Sequence, residues 1–553
     1  MGAHYERTTM LTHLTGIRQE LRGQSPRLPR SPPTVAVTVA VRCRAEGGGA
    51  SKGELRPRLL RWPAPQESGD LHRTPCDQLG GRRTEDHLFR VATSAGSADG
   101  LSGMAESNDP LTGDIDVQLV TNAYIYGFPL VFNLLQVLRF TTDGIGAVPA
   151  AAFNTFSHGR TLAGPDDTFV TINNDTLYSM AQVDLSSGPV TLHVPDTAGR
   201  YYVLQFVDAW TNNFAYVGHR ATGTAAGDYL LVPPDWDGEP DDDDTVIRFP
   251  TTVASIVGRW AVDGDTDLPT VHALQDATTL TPRTPDAAPH GLAVPDPEVP
   301  DALAFLERFR VWSQQFPPAP RDAAVQRSFA GLGVNSPASP YVGLPDDAVA
   351  ALTSALEGAS ARLRQILESG SSPQVNGWKM TLHVFDYNLD FFEVGALDDE
   401  RFRIEDPTVR YAERAGAALG GLWGNHAYEA AYVMTFVDDH GDQLDGTHEY
   451  TFRLAPPPPV GAFWSLTMYG VPDFFLVANP INRYSIGDRT PDVAQDADGA
   501  LTVTIAHQQP ESPDANWLPS PAGRFRPVLR MYEPGDEVLD GRWTPPAIVR
   551  TER

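Results

Sequence analysis

A chain of 553 residues is longer than one hydrophobic core organises, and its 41% hydrophobic and 9% aromatic content is globular, so two to four domains are expected. The formal net charge of −28 divides into +5 over residues 1–103 and −33 over residues 104–553, and the acidic part disfavours nucleic acid and anionic membrane as partners. Both cysteines, Cys43 and Cys76, lie in the basic part, which excludes thiol nucleophiles and cysteine metal sites from the remainder.

Residues 1–103 are rich in Arg, Pro, Gly and Ser and have no sustained period of 2 or 3.6. Such a stretch buries too little apolar surface to offset its chain entropy, so a disordered head is expected, with translation starting at Met104. The apolar run at 34–41 ends on Arg42 and makes a poor signal core. No segment is expected to approach the length of a transmembrane helix, and the absence of a signal makes the cytoplasm the expected location.

From 114 to 140 an apolar stripe predicts a helix interrupted at Pro129, with a second short helix over 131–138. Between 168 and 263 short runs bounded by turn residues predict strands at 190–194, 201–210, 228–232, 246–249 and 253–262, the pattern of an antiparallel β-sandwich. Helical spacing returns at 300–316, 322–332 and 345–369. From Tyr432 the pattern is β again. The runs 432–437 and 447–454 flank the turn segment 438–446 as a predicted hairpin, and strands follow at 462–470, 500–506 and 524–532. The fold class expected is mainly β with a helical insertion, divided as 104–297, 298–375 and 376–553.

No GxSxG elbow, HExxH, Walker A loop or GxGxxG occurs, which removes the chemistries tied to those local geometries. The strongest single candidate is Asp208, in phase along its strand with Tyr202, Leu204 and Phe206, where burial would raise a carboxyl pKa and suit acid/base work. The competing reading is that it closes the Trp210–Thr211–Asn212–Asn213 turn. Asn173, Asn174, Asp175, Thr176 and Tyr178 crowd donors and acceptors before a strand, either as a site or as an Asx-turn. His219 and Arg220 could return beside Asp208 on the next strand, with solvent exposure as the alternative.

Further on, Trp464, Tyr469, Asn479, Asn482, Arg483, Tyr484, Asn516, Trp517 and Arg530 form an aromatic and amide-rich set that suits a saccharide or aromatic cleft, or plain core packing. The segment 438–449 has Asp438, His440, Asp442 and Glu449 at calcium-loop offsets but lacks glycine at the sixth position. No metal and no cofactor are implied.

The segments AYIYGFPL, NNDTLYSMAQVDLSSGPVTLHVPD, RYYVLQFVDAWTNNFA and GTAAGDYLLVPPDW resemble domain of unknown function 1254. YAERAGAALGGLWGN, DQLDGTHEYTFRLAPPPPVGAFWSLTMYG, NPINRYSIGDR and NWLPSPAGRFRPVLRMYEP resemble domain of unknown function 1214, and together they run from about Asp114 to the C-terminus. The resemblance implies an immunoglobulin-like sandwich, a small helical domain and a jelly-roll-like sandwich. It brings no established reaction, and many members look exported. Its shared motif positions are Asn174, Asp175, Tyr178, Asp208, Trp210, Asn479, Arg483, Tyr484, Asn516 and Trp517. The function expected is binding of a small polar molecule or saccharide in an inter-domain cleft. Two alternatives stand: a hydrolase or lyase using Asp175 and Asp208 as acid and base with His219 or Arg220 assisting, and a structural or assembly protein. Homo-oligomerisation is left open.

Overall fold

The computed structural model describes Leu111 and residues 114–551, apart from 243, 285–286, 370–371 and 513–515. The expectations for residues 1–103 lie outside the described residues. Helix α1 (Val117–Thr142) begins on Asp116, whose carboxylate accepts from the N–H groups of Gln118 and Leu119 at 3.0 and 3.1 Å. Strands β1 (Phe156–His158), β2 (Thr176–Asp184), β3 (Val190–Val194), β4 (Tyr202–Asp208), β5 (Asn213–Gly218), β6 (Gly227–Val232), β7 (Thr245–Arg248) and β8 (Val253–Ala261) follow, then helix α2 (Leu268–Ala277) and β9 (Thr279–Pro282). Helices α3 (Ala304–Gln315), α4 (Ala323–Ser328) and α5 (Asp346–Ser369) come next.

The last part holds β10 (Gln374–Val375), β11 (Trp378–Lys379), helix α6 (Pro407–Gly421), β12 (Ala430–Thr435), β13 (Tyr450–Leu454), β14 (Val460–Gly470), β15 (Ser485–Gly487), β16 (Leu501–Ala506), β17 (Asn516–Pro519), β18 (Phe525–Pro534), helix α7 (Asp536–Leu539) and β19 (Val549–Arg550).

The molecule is mainly β. In the first β region a five-stranded sheet, β1-β2-β8-β4-β5, and a four-stranded sheet, β7-β6-β3-β9, share one core. Period-two alternation turns Leu177, Leu204 and Ile256 into it together with Leu192 and Leu231 of the opposing sheet. In the second region a six-stranded sheet, β10-β11-β12-β18-β14-β15, and a four-stranded sheet, β17-β16-β13-β19, do the same around Phe452, Leu466, Val503 and Leu529. The helices α1, α3, α5 and α6 pack together in a third core, which also receives Met180, Val207 and Val257 from the outer face of the first sheet.

Three expectations are corrected. Helix α1 runs unbroken through Pro129, because packing against α3, α5 and α6 outweighs a local cost of about 3 kcal/mol. Its 26 residues also meet the length and apolarity of a membrane span, yet most of the helix is buried in the protein, where core packing accounts for its composition. The hairpin expected over 432–454 does not form. Strand β12 pairs with β11 and β18, while β13 pairs with β16 and β19, so the segment 436–449 crosses between two sheets. Local alternation cannot distinguish a hairpin from such a crossing, because both leave the same in–out pattern on each strand.

Candidate functional site: a cavity between the two β regions

Two sheets and three helices, α1, α5 and α6, surround a cavity of about 150 Å³. Each strand contributes residues two apart, as the pleat requires: Tyr178 and Met180 from β2, Val257 and Arg259 from β8, Tyr432 and Met434 from β12, and Arg526, Val528, Arg530 and Tyr532 from β18. Phe140 of α1 and the Phe169–Asn173 segment close one side, and α6 with the residues after it closes another.

The α6 wall is built from residues with little or no side chain. Gly416, Ala417, Gly420, Gly421 and Gly424 all line the cavity. Glycine in a helix interior costs about 1 kcal/mol relative to alanine, so Gly416 and Gly420 need a reason. A Cβ on Gly420 would stand 2.6 Å from Leu367, and one on Gly424 would stand 2.0 Å from the ring of Phe385. Gly416 has no such neighbour: it is buried, and a Cβ there would meet nothing within 4 Å. Its missing side chain is space that belongs to the cavity.

The aromatic side is held firmly. The Trp423 ring lies 5.5 Å from the rings of both Phe140 and Phe169, and its indole N–H donates to Asn133 Oδ1 at 2.7 Å. Three buried arginines also line the cavity. Arg259 donates to Gln205 Oε1 at 2.8 Å and the Trp423 carbonyl at 2.7 Å, and its guanidinium lies 5.7 Å from the Tyr178 ring centre. Arg530 donates to Thr467 Oγ1, the Thr171 carbonyl and Tyr469 Oη at 2.8, 2.8 and 2.6 Å. Arg526 donates to Thr171 Oγ1 at 2.7 Å and to Met434 Sδ at 3.5 Å. None of the three forms an ion pair with a carboxylate among the described residues.

Of the residues singled out from the sequence, Asn173, Tyr178 and Arg530 line this cavity; the Tyr178 hydroxyl accepts from the Asn173 backbone and side-chain N–H groups at 3.3 and 2.6 Å. Asp175 sits beside it, accepting on one oxygen from Ser465 Oγ at 2.7 Å and Tyr532 Oη at 2.9 Å. Asn174 donates to the Ala163 carbonyl at 2.5 Å. Asp208 is buried, and its two oxygens accept from the Asn212 backbone and side-chain N–H groups, each at 2.8 Å. Burial pushes its pKa up to about 6, against the pull of those hydrogen bonds. Trp210 donates to the Phe316 carbonyl at 2.9 Å. Asn479 closes its own turn onto Val477 and Arg483, Arg483 donates to the Trp517 carbonyl, and Tyr484 donates to Asn482. Asn516 braces Ala494 and Thr502, and Trp517 donates to the Ala506 carbonyl.

The acid/base pairing of Asp175 with Asp208 is corrected by strand register. Thr176 stands opposite Ala261 of β8 and Asp208 opposite Ala254 of the same strand. Asp175 and Asp208 are therefore roughly 25 Å apart at about 3.4 Å per residue, too far to act on one bond. His219 does not return to Asp208 either. Its N–H donates to the Tyr202 carbonyl, at the far end of β4 from Asp208.

His219 and Arg220 instead join the two β regions. His219 Nδ1 meets Glu533 Oε1 at 2.6 Å, and Arg220 donates to the Tyr428 carbonyl. Beside them Tyr201 donates to Glu429 Oε1 at 2.9 Å, and burial pushes the Glu429 carboxyl from its usual 4.5 up to about 7. Elsewhere, Asp438, Asp439 and His440 bring ligand atoms within 4.8 Å of one another. Asp438 is already engaged in turn closure, accepting from the N–H groups of His440 and Asp442.

Strand pattern could have pointed to part of the site. In β18 the period of two puts Arg526, Val528, Arg530 and Tyr532 on one face of a strand buried along its whole length. The remaining walls come from segments hundreds of residues apart, which no local pattern connects.

These features define a mainly β protein with two β regions, a helical layer, and a ligand-sized cavity lined by all three. Residues 153–282 match the family Protein of unknown function (DUF1254), and residues 429–536 match the family Protein of unknown function (DUF1214). The chain thus combines the two, the first N-terminal to the second, as its motifs imply. The VPA0106 protein from Vibrio parahaemolyticus, a crystal structure, is similar in fold: TM-score 0.55 and 23% identity, covering 79% of this chain and 100% of its own. An uncharacterised protein from Burkholderia cenocepacia aligns at 13% identity and TM-score 0.38, over 80% of this chain and 91% of its own. No curated protein matches the chain.

Proposed function

We propose that this protein binds a small, largely apolar molecule in the cavity between its β regions. The observation that carries this is Gly416: a buried helical glycine whose absent side chain faces open space rather than a packed neighbour. A core with no task for that space would gain about 1 kcal/mol of helix propensity, plus packing, by filling it. Aromatic walls and a few convergent polar groups are the usual make-up of a small-molecule site. The volume suits a body of roughly benzene to benzoate size.

A saccharide has less support, because the amides of Asn479 and Asn516 are spent on local backbone groups. Catalysis by Asp175 with Asp208 has none, given their separation. In architectural terms we take each β region as a two-sheet sandwich, immunoglobulin-like first and jelly-roll-like second; the shared core within each region supports this.

The test is a thermal-shift screen of small aromatic and aliphatic compounds, with sugars as a comparison set, on the wild-type chain and on Gly416→Leu. Apolar compounds should raise the melting temperature of the wild type only. Stabilisation by sugars alone, or equal shifts in both proteins, would remove the cavity from consideration.

A further inference from the structure

We infer that the ligand is a small monocarboxylate, its carboxylate seated on Arg526 and its apolar body against Phe140, Phe169 and Trp423. This rests on the cavity being the binding site and adds the class of ligand.

Arg526 is 1% exposed and lines the cavity. A guanidinium carries five N–H donors. Those of Arg526 find the Thr171 hydroxyl and a thioether, which is a weak acceptor, and the Nε–H finds no partner among the described residues. Arg530, four residues along the same strand face, is well supplied by two hydroxyls and a carbonyl. Of the carboxylates nearby, Asp175 is engaged by Ser465 and Tyr532, and Glu413 of α6, which lines the cavity together with Lys379, is itself engaged. Burying a charge without a counter-charge costs several kcal/mol, so a purely structural position would be better filled by a neutral side chain. Burial depresses the Arg526 pKa to about 9, with the positive charge of Arg530 adding to the effect, so the site as it stands disfavours its own charge.

The surroundings also orient the group. The Arg526 guanidinium lies 4.0 Å from the Phe474 ring centre, which fixes its plane. Thr171 is held at φ 54°, a left-handed conformation unusual for a β-branched residue. There its hydroxyl accepts from Arg526 and donates to the Gly420 carbonyl, while its own carbonyl accepts from Arg530. Backbone strain of this kind persists where surrounding structure over-determines it, and it clusters at ligand clamps. A planar guanidinium with unused N–H groups matches the two oxygens of a carboxylate. A phosphate dianion would bring a second charge and a third oxygen into an apolar cavity, at a higher desolvation cost.

Calorimetric titration of the full chain with benzoate, its neutral isostere benzamide, and inorganic phosphate tests this. Wild type should bind benzoate at least about tenfold tighter than benzamide, as expected for a charge-assisted hydrogen-bond pair. Arg526→Gln should erase that preference while benzamide still binds, and Arg526→Lys, which keeps the charge but loses the fork, should retain only part of it. Equal wild-type affinities for benzoate and benzamide overturn the inference, as does phosphate matching benzoate. If benzamide binds wild type without disadvantage and fails only in Gly416→Leu, the cavity reading stands and the carboxylate inference falls. If neither aromatic binds, both fall. The wild-type comparison decides even if the Arg526 variants do not fold.

Discussion

Trp423 donates its indole N–H to Asn133 Oδ1 at 2.7 Å, joining residues 290 positions apart in the sequence. The same Asn133 donates its Nδ2 to the carbonyls of Asp208 and Ala209, each at 3.1 Å. The turn closed by Asp208 is therefore coupled, through one buried amide, to the aromatic wall of the cavity. Under the proposed binding role, Asp208 acts by positioning, through Asn133 and Trp423, and not by touching the ligand.

Asn133→Ala removes the partner of a buried indole and of two buried carbonyls. It should destabilise the protein by about 2–4 kcal/mol in urea unfolding, since each orphaned buried group costs about 1–3 kcal/mol. Fluorescence of Trp423, compared with a Trp423→Phe control, should shift to the red as its surroundings loosen.

Asp208→Asn sets an amide donor against the two N–H donors of Asn212. The expected loss is about 1–3 kcal/mol of stability, with ligand affinity of the folded protein lowered by less than about tenfold. Complete loss of binding with unchanged stability would return Asp208 to the ligand itself.

Gly416→Ala should stabilise the apo protein by about 1 kcal/mol, because the added methyl meets open space and alanine favours the helix. Urea midpoints without ligand measure this. A destabilised variant would mean that the space is not there.

The Glu429 carboxyl makes stability fall as pH rises. Its folded pKa of about 7 lies above its usual 4.5, so the folded state keeps a proton that the unfolded chain releases. Between those values each step up in pH favours unfolding, by on the order of 3 kcal/mol in total, and the effect levels off above about pH 7. Glu429→Gln retains an acceptor for Tyr201 and cannot ionise. The difference in urea midpoint between wild type and this variant should widen from pH 5 to pH 8, with the variant the more stable at the upper end.

The fold was legible where one strand or helix carries its own period. The run over 190–194 reads as the strand Val190–Val194, and the helix expected over 345–369 as Asp346–Ser369. It was illegible where tertiary packing overrides local preference, as at Pro129, or where pairing partners lie far away, as for β12 and β13. Among the site residues, Tyr178 stood out by the density of polar groups around it. Arg526 was hidden inside a strand of ordinary β pattern, and its meaning depends on Thr171, 355 positions earlier. Gly416 was hidden differently: a helix motif containing several glycines does not reveal which of them face a neighbour and which face space.

The most direct measurement is a crystal structure of the protein soaked with 4-bromobenzoate, recorded at the bromine absorption edge. The result expected is an anomalous peak inside the cavity bounded by Gly416 and Trp423, with the carboxylate against Arg526. Bromine found only on the outer surface, with the cavity unchanged, would contradict the assignment of this cavity as the ligand site.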